Sequence, residues 1–495
     1  MCGCCLANSV GAVGEKNLNS SLFGVPKTQN YNFNSLQVID KNSKTYDYKK
    51  RYEYISTVGD GAFGLVRLFR DRESGLKYAI KTIKKDYINR YMIESLMREI
   101  DILNSLDHPN IVKYFETYED SNYLHIVMEY IPGDNLFKMI SNKKSIHFTE
   151  KDIHEIFVFL IKAVTFLHHN GIVHRDLKPE NILFSVPGDY SSLKLIDFGL
   201  SIQRNLKTQA YRVGTPYYMA PEMIDGNFYF RSDVWSIGVI LYTMITGVLP
   251  FNGSNKDEVF QKISKGIYDK QKLNEQHCSD ELKDLIEKCL IVDRNKRITS
   301  DEILHHKWFK LFTKNPDYNT VISADIIKAL KEFQSQNILQ KEILYYLAKI
   351  STESEVVKLR EAFSLIDEDN SGEIEYNDIP KVFQSLGIQA TDDELKKIFD
   401  SLDFHHDGKV NYSEFIAATL SSLKYARKER LRSAFRYFDV SNQGYITAEN
   451  VIEALEKSKH IVNKDELIKI FSGLKGQKIE YEEFKRIFYE NKVTS

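Results

Sequence analysis

Apolar residues recur at helical spacing along most of this chain, and strand-like composition is confined to an early stretch. Residues 54–69 have the composition of strands broken by glycines, whereas 92–106 and 155–168 space their apolar side chains as amphipathic helices do. Helical spacing returns at 310–352. The pattern predicts an α+β fold over 52–309, followed by helices.

A helix–loop–helix pattern recurs after residue 353, about every 36 residues. Because such units pair through their loops, four copies predict two pairs within an all-α region. Residues 1–51, rich in Asn, Ser and Gly with little periodicity, predict a flexible tail. The four predicted units are 353–388, 389–424, 425–460 and 461–495.

Composition excludes several classes of protein. Hydrophobic residues make up 42% and charged residues 27%, as in soluble globular proteins, and a net charge of −2 gives no basic footprint for nucleic acid. No run of 18 apolar residues and no secretory signal is present, so we expect a cytoplasmic protein. The 5 Cys are too unevenly spread for a disulfide framework.

Residues 367–378 form the most informative motif, a calcium-loop pattern. Oxygen-bearing side chains fall at positions 1, 3, 5, 9 and 12, with Gly at 6 for the sharp turn and Ile at 8 for pairing. Position 12 is Asp, which is one methylene shorter than the usual Glu and strains a bidentate contact with a large ion. The candidate Ca²⁺ ligands are Asp367, Asp369, Ser371, Glu373 and Asp378.

The second loop, 403–414, keeps the pattern less completely. Its third position is His405, a poor ligand for a hard cation. Charge favours the first pair of units: 353–420 holds 16 acidic and 6 basic residues, a net of −10, whereas 421–495 holds 11 and 15, a net of +4. The candidate ligands here are Asp403, Asp407, Glu414 and, at position 7, Lys409, where the backbone carbonyl is the ligand.

The third and fourth loops lack key ligands. The third ends in Asn450, so it has no carboxylate at position 12, and the fourth has Leu474 at position 3 and Gln477 where Gly belongs. We expect this pair to be structural. The sequence therefore predicts at most two Ca²⁺ per chain, with affinities on the order of 10⁻⁶ to 10⁻⁴ M.

A second set of motifs lies within 52–309. Its glycine-rich stretch alone is weak evidence for a functional site, because a tight β-turn explains the glycines equally well. The other motifs follow in a fixed order, and their joint occurrence by chance is negligible. The set is Gly59-x-Gly61-x-x-Gly64-x-Val66, Ala79-Ile80-Lys81, a helical Glu99, His174-Arg175-Asp176-Leu177-Lys178-Pro179-Glu180-Asn181, Asp197-Phe198-Gly199 and Ala220-Pro221-Glu222.

With these motifs, the chain resembles the eukaryotic protein kinases over 52–309, which implies a two-lobed fold using ATP and Mg²⁺. Phosphoryl transfer needs positioning and neutralised charge, which glycine N–H groups, a lysine and hard oxygen ligands supply. The lysine two residues after Asp176 is typical of Ser/Thr kinases. The resemblance assigns Val58, Gly59, Gly61, Gly64, Val66, Lys81, Glu99, Met128 and Glu129 to ATP, Asn181 and Asp197 to Mg²⁺, and Asp176 and Lys178 to catalysis.

The resemblance also assigns structural roles. Arg297 is expected to pair with Glu222, and Asp233 to support the catalytic loop. His168 and His169 end an amphipathic helix with no third metal ligand nearby, so we expect solvated or capping histidines.

The order of tail, kinase, helical junction and four units resembles the calcium-dependent protein kinases over about 50–495. That resemblance implies that the junction, 310–352, restrains the kinase at rest and that the calcium-loaded, calmodulin-like region binds it. A plain helical linker is the alternative, and no Arg-x-x-Ser pseudosubstrate identifies a blocking residue. Two other functions remain possible interpretations of the sequence. One is a kinase controlled mainly by its own activation segment, with the four units as a scaffold, and the other is a calcium sensor that works by recruiting partners.

The activation segment, 200–219, contains no Asp or Glu. Family members often place an acid there to pair with the arginine that is Arg175 here. A phosphate on Thr208 or Tyr211 would supply that charge, while Thr215 has the position of a structural threonine.

Asn135 stands where the family usually has a Glu that reads a basic residue upstream of the phosphorylation site. Glu180 remains and is able to do part of this. The preference for basic protein substrates therefore stays open.

The N-terminus has Cys at residue 2 rather than Gly, so the myristoylation pattern is absent. Cys2, Cys4 and Cys5 form a cluster suited to S-acylation, and two or three acyl chains anchor a protein stably to a membrane surface. Three unmodified thiols on a tail are the alternative. We expect a monomer, cytoplasmic or peripheral to a membrane.

Overall fold

The structure, a computed structural model, describes most of the chain from Tyr48 onward. Within the described ranges, no helix combines the length and apolarity needed to cross a bilayer. The predicted acylation cysteines and the acceptors Thr208 and Tyr211 lie outside these ranges. The described residues are 48–61, 64–85, 90–141, 148–203, 215–312, 318–420, 428–457 and 464–490.

The predicted flexible tail is too long at its C-terminal end. Helix α1 (Tyr48–Arg51) packs on the sheet that follows. The rings of Tyr48 and Phe69 lie 5.9 Å apart, and Arg51 pairs with Asp71 at 2.7 Å. Burial of the aromatic ring and this ion pair order a segment whose composition predicted flexibility.

Five antiparallel strands form the first lobe in the order β1-β2-β3-β5-β4. Strand β3 is central and buried on both faces: Ile80 lies in the cluster around Tyr52, whereas Ile83 lies on the opposite face, in the cluster that α2 joins. Helix α2 packs its apolar face on this sheet through Leu96 and Ile100. The elements are β1 (Tyr52–Gly61), β2 (Gly64–Asp71), β3 (Lys77–Lys84), α2 (Arg90–Ser105), β4 (Tyr114–Glu119) and β5 (Tyr123–Glu129).

The second lobe is mostly helical around a core that contains the fully buried Trp235 and Trp308. Its longest helix begins at a capping box in which Thr149 and Asp152 satisfy each other's backbone N–H groups. The helices are α3 (Leu136–Ser141), α4 (Glu150–His169), α5 (Pro221–Ile224), α6 (Phe230–Thr246), α7 (Lys256–Lys265), α8 (Lys270–Asn274), α9 (Asp280–Cys289), α10 (Ser300–Leu304) and α11 (Lys307–Phe312).

Two short antiparallel pairs of strands hold the loops between α4 and α5. They are β6 (Ile172–Val173) with β9 (Ile202–Gln203), and β7 (Ile182–Phe184) with β8 (Leu193–Leu195).

The junction is helical, as predicted, and shares its core with the C-terminal region rather than with the two lobes that precede it. Ile326, Leu330 and Phe333 of one junction helix, and Leu339 and Ile343 of another, belong to the same buried cluster as the C-terminal helices. The junction helices are α12 (Tyr318–Val321), α13 (Ala324–Phe333) and α14 (Ile338–Ile350).

The C-terminal region contains four helix–loop–helix units that pair as predicted. The first two loops meet at one antiparallel bridge between Ile374 and Val410, and the last two through β10 (Tyr445–Ile446) and β11 (Ile479–Glu480). The helices are α15 (Glu353–Ile366), α16 (Asp378–Ser385), α17 (Asp392–Leu402), α18 (Tyr412–Thr419), α19 (Lys428–Phe438), α20 (Ala448–Lys457), α21 (Lys464–Ser472) and α22 (Tyr481–Glu490).

Candidate active site and calcium loops

The glycine-rich stretch forms the turn between β1 and β2. Gly61 pairs with Gly64, and Gly59 pairs with Val66. A Cβ on Gly64 would lie 2.4 Å from the carbonyl oxygen of Thr82, so only glycine fits there. Val58, the predicted residue before the first glycine, is half exposed. The five predicted nucleotide-binding residues between Val58 and Val66 therefore lie on one hairpin.

Lys81 is held between two carboxylates. Its Nζ lies 2.6 Å from Glu99 Oε1 on α2 and 3.9 Å from Asp197 Oδ1. Burial by itself lowers the pKa of Lys81, but the carboxylates of Glu99 and Asp197 outweigh burial and raise that pKa. Lys81 is a fixed positive charge, as a phosphate clamp requires.

The hinge follows β5. Met128 pairs with Ala79 of β3 and packs against the buried cluster that runs through both lobes. The backbone N–H of Glu129 donates to the carbonyl of Lys113 at 2.9 Å, and the side chain of Glu129 lies 3.3 Å from Lys194 Nζ. The Glu129 carboxylate therefore points at β8.

The catalytic loop is fixed by Asp233, as predicted. The Asp233 carboxylate accepts from the backbone N–H groups of His174 and Arg175, each at 2.9 Å. It also lies 3.0 Å from His168 Nε2. Arg175 has a φ of 70°, a left-handed conformation that these bonds stabilise.

His168 is neither solvated nor a helix cap, so that prediction was wrong. Its ring is buried, with Nε2 on Asp233 and Nδ1 3.0 Å from Ser300 Oγ. His169 is exposed, as expected, and pairs with Asp301 at 2.7 Å. Periodicity placed His168 on the helix but did not indicate which side chains would surround it.

Asp176 is surrounded by polar groups of the kinase segment. Lys178 Nζ lies 2.5 Å from its carboxylate, Asn181 Nδ2 donates to it at 3.2 Å, and Thr215 Oγ1 donates at 3.1 Å. The structure thus brings together the predicted base, its lysine and one predicted Mg²⁺ ligand. The other predicted Mg²⁺ ligand, Asp197, lies on the loop after β8. Its carboxylate faces Lys81 in the cleft.

The predicted structural pair is confirmed. Arg297 donates to both carboxylate oxygens of Glu222, at 2.7 and 3.0 Å, and both side chains are buried. A bidentate contact of this kind fixes the segment after the active site.

Two positions near the cleft bear on protein substrates. The side chain of Asn135 caps α3 by accepting from the backbone N–H of Lys138 at 2.9 Å. Glu180 is half buried, and burial raises the pKa of its carboxyl group.

The first calcium loop has the expected internal hydrogen bonds. Asp367 accepts from the backbone N–H groups of Ser371 and Gly372 at 2.9 and 3.1 Å, and Asp378 accepts from that of Glu375 at 2.9 Å. Burial raises the pKa of Asp367 to about 7. A buried carboxylate with others beside it favours a cation, so these residues fit Ca²⁺.

In the described ranges, no three acidic, histidine or cysteine side chains converge closely enough to form a ready metal site. Ion binding at the first loop therefore requires the side chains of Asp367, Asp369 and Asp378 to close around the ion.

In the second loop, the carboxylates at positions 1 and 12 already accept hydrogen bonds from other residues of the loop. Asp403 accepts from the N–H groups of Asp407 and Gly408, each at 3.0 Å. His405 Nδ1 lies 2.8 Å from Glu414, the carboxylate at position 12. Burial alone would lower the pKa of His405, but the nearby carboxylates of Glu342 and Glu414 raise it to about 10.

The third loop closes without a carboxylate at position 12, as predicted. Asp439 accepts from the N–H groups of Gln443 and Gly444, while the amide of Asn450 donates to Ser441 at 3.3 Å. In the fourth loop, Leu474 is buried in the apolar core.

A buried network joins the regulatory region to the hinge, and sequence reasoning missed it. Lys194 Nζ lies 2.5 Å from Glu353 at the start of α15, in addition to its contact with Glu129. Arg360 lies 2.8 Å from Glu353 and 3.1 Å from Asp189. Lysines, arginines and acids at these positions look like ordinary charged surface in the sequence.

Further contacts extend this interface to α4 and to the loop between α2 and β4. Ser413, on α18, donates through both its N–H and its hydroxyl to Asp107 at 2.8 and 2.9 Å. A Cβ on Gly372 would lie 2.6 Å from the ring of Phe166 and 2.7 Å from that of His108. The first calcium loop therefore packs directly against the kinase.

Comparison with known proteins matches both regions. Residues 52–309 match the protein kinase domain, and 356–420 match the EF-hand domain pair. Calcium-dependent protein kinase 4 of Plasmodium berghei (strain Anka) is 35% identical over 382 residues, covering 76% of this chain and 72% of that protein. The chain belongs to the calcium-dependent protein kinases.

Other calcium-dependent protein kinases match to a similar extent. Calcium-dependent protein kinase 4 of Plasmodium falciparum (isolate 3D7) is 37% identical over 338 residues, which are 67% of this chain and 64% of that protein. Calcium-dependent protein kinase 7 of Arabidopsis thaliana is 35% identical over 391 residues, covering 76% and 72%. The kinase domain implies ATP and Mg²⁺, and the EF-hand pair implies Ca²⁺. The EF-hand match ends at residue 420, so EF-hand character in the last two units stays a prediction.

Proposed function

We propose that this chain is a calcium-activated protein kinase that transfers the γ-phosphate of ATP to Ser or Thr of protein substrates. Lys81, fixed by Glu99, holds the α- and β-phosphates, and the glycine hairpin covers them with backbone N–H groups. Mg²⁺ held by Asn181 and Asp197 neutralises charge on the phosphates.

Asp176 orients the substrate hydroxyl and accepts its proton. Its carboxylate is fixed by Thr215 and Asn181, so it keeps one direction while the hydroxyl approaches. Lys178, 2.5 Å from Asp176, adds positive charge beside the transferred phosphoryl group. Because residue 135 is Asn rather than the Glu usual in the family, Glu180 is the remaining carboxylate of the two expected to read basic residues of a substrate.

One observation carries the calcium control: the Lys81–Glu99 pair is formed while the regulatory region is docked behind the hinge through Glu353, Lys194 and Glu129. Helix α14 is held by the C-terminal units, with the side-chain amide of Gln340 donating to the carbonyl of Ile487 at 2.9 Å. Calcium at the first loop favours this arrangement, in which the junction is bound away from the cleft.

A kinase assay on a generic Ser/Thr peptide tests the proposal. We expect phosphoryl transfer in calcium that falls sharply in chelator, and none in either condition for Lys81→Met. Equal rates in calcium and chelator would contradict calcium control while leaving the kinase assignment intact.

Control by the activation segment is the second candidate. The Arg175 guanidinium is buried on the ring of Phe228, at 3.9 Å, and burial together with nearby Arg98 lowers its pKa to about 10. Two crowded arginines attract a phosphate. Mass spectrometry of the active protein, followed by Thr208→Ala and Tyr211→Phe, separates this candidate from calcium control.

Membrane attachment and the monomeric state are further parts of the proposal. Three cysteines within the first five residues support S-acylation, which would give a cytoplasmic protein peripheral to a membrane. Changing Cys2, Cys4 and Cys5 together to Ser should move the protein from the membrane fraction to the soluble fraction. A wild type that is wholly soluble in its own cells would contradict the anchor. Light scattering of the purified chain tests the monomer.

A further inference from the structure

The second calcium loop holds a histidine where an ion would bind. Glu414, at position 12, is fully buried, and each of its carboxylate oxygens is taken by donors of the loop itself. Oε1 lies 2.8 Å from His405 Nδ1 and 3.3 Å from the His405 backbone nitrogen. Oε2 accepts from the backbone N–H of Asn411 at 2.9 Å. A calcium ion needs both of these oxygens.

The other face of the same imidazole is turned toward the junction. His405 Nε2 lies 3.6 Å from Glu342 Oε1 on α14, and both side chains are buried. The ring meets that of Tyr345, also on α14, edge-on at 5.0 Å. His405 therefore links position 12 of the loop to the junction helix through two carboxylates.

The first loop shows what an ion-competent arrangement looks like in the same chain. Its third position is Asp369, which accepts from the backbone N–H of Ser371 at 3.0 Å. The cations that approach its acidic side chains, Lys162 at Asp367 and Lys409 at Glu373, come from outside the loop. Lys381 approaches Asp378 only from outside, at 3.5 Å, with a side chain that is half exposed. At position 3 the first loop therefore offers a carboxylate to an ion, whereas the second has the imidazole of His405.

For an ion to enter the second loop, the imidazole would have to leave both carboxylates. Glu342 would then remain buried among Tyr345 and the apolar residues of α14 without the contact that His405 provides. A buried carboxylate is destabilised when it loses a contact with a positive charge, and the gain from ion binding at a loop with one missing ligand must first offset that loss.

We propose that the second loop does not take Ca²⁺ and that the His405 side chain fills the ion's place, tethering α14 to the loop in the absence of calcium. Of the first two loops, only the first then binds Ca²⁺. The tether matters for regulation only if calcium controls the kinase as proposed above, whereas the number of bound ions is measurable either way.

Isothermal titration calorimetry of the full chain with Ca²⁺ alone tests the ion count. We expect one ion for the wild type and two for His405→Asp, which restores an acidic ligand at position 3. His406→Asp is the matched control: this neighbouring residue is exposed at position 4, and its variant should still bind one ion.

Two results would overturn the proposal: a wild type that binds two ions, one of which is lost in Asp403→Ala, or a His405→Asp variant that still binds one. A wild type that binds no ion, with one ion gained in His405→Asp, would leave the second loop as proposed and remove calcium control instead.

Hydrogen exchange in chelator tests the tether. Glu342→Gln should make the amides of α14 exchange on the order of tenfold faster than in the wild type, because one side of the buried contact is lost. Glu332→Gln, at an exposed position on α13, should leave that exchange unchanged. Equal α14 exchange in the wild type and Glu342→Gln would show that no tether exists.

Discussion

Two buried lysines in this kinase each lie between two carboxylates, one in the cleft and one behind the hinge. Lys81 is held by Glu99 and Asp197, and Lys194 is held by Glu353 and Glu129. The first set belongs entirely to the kinase domain and positions phosphates. The second joins the hinge to the regulatory region, so it forms only when that region is docked.

The contrast teaches that similar buried charges serve different ends. Removing one partner of a buried pair costs about 3–5 kcal/mol, because the remaining charge stays buried. In the cleft, that loss appears as lost turnover. Behind the hinge, it appears as weaker docking, while the catalytic residues remain in place.

The largest effect is expected in the cleft. Lys81→Met or Asp197→Ala should lower turnover at least about 10²-fold, because charge stabilisation of the transferred phosphoryl group is lost. The peptide kinase assay measures this, and circular dichroism should show an unchanged fold. Turnover like that of the wild type in either variant would refute the assigned site.

The next effect concerns the calcium loop that packs on the kinase. Asp367→Ala should remove calcium stimulation and leave the rate measured in chelator, because the first loop loses its buried ligand. Kinase rates across a calcium titration measure this. Persistent full stimulation would move control to another loop.

A smaller effect is expected behind the hinge. Glu353→Gln should speed hydrogen exchange in the first turn of α15 about 10²-fold, corresponding to roughly 3 kcal/mol, because Lys194 and Arg360 both lose the carboxylate that joins them. Glu361→Gln, exposed on the same helix, is the control and should have little effect. Unchanged exchange in Glu353→Gln would mean that other contacts hold the interface.

The smallest effect is expected in the third loop. Asp439→Ala should leave both the calcium count and the stimulated rate close to those of the wild type, since Asn450 supplies no carboxylate at position 12. Calorimetry and the kinase assay check this. Loss of an ion in this variant would show that the last pair of units is a calcium lobe.

Much of the cleft could be predicted because its residues lie in short motifs with fixed spacing. Lys81 and Glu99 are 18 residues apart, and Asp176, Lys178 and Asn181 lie on one loop. The helix–loop–helix units could also be predicted, since a repeated apolar pattern fixes helices and their pairing.

The network behind the hinge could not be predicted, because its members come from different domains. Nothing local distinguishes Lys194 or Arg360 from an exposed charge, and only the docked fold brings them to Glu353 and Asp189. The role of His405 was equally hidden. The sequence showed a poor ligand, but its partner Glu342 lies on the junction.

The close packing of Gly372 against Phe166 and His108 has a consequence for how the calcium threshold is set. A loop that touches the kinase has two ion affinities, one for the docked state and one for the undocked state. Thermodynamic reciprocity requires that the ratio of these affinities equal the factor by which the ion shifts docking. Because docking also involves the hinge residue Glu129, nucleotide that favours the docked hinge must lower the calcium concentration for half-activation by the same coupling. The calcium concentration for half-activation is then set by the docking of the whole chain and by the nucleotide concentration, and not by the first loop alone.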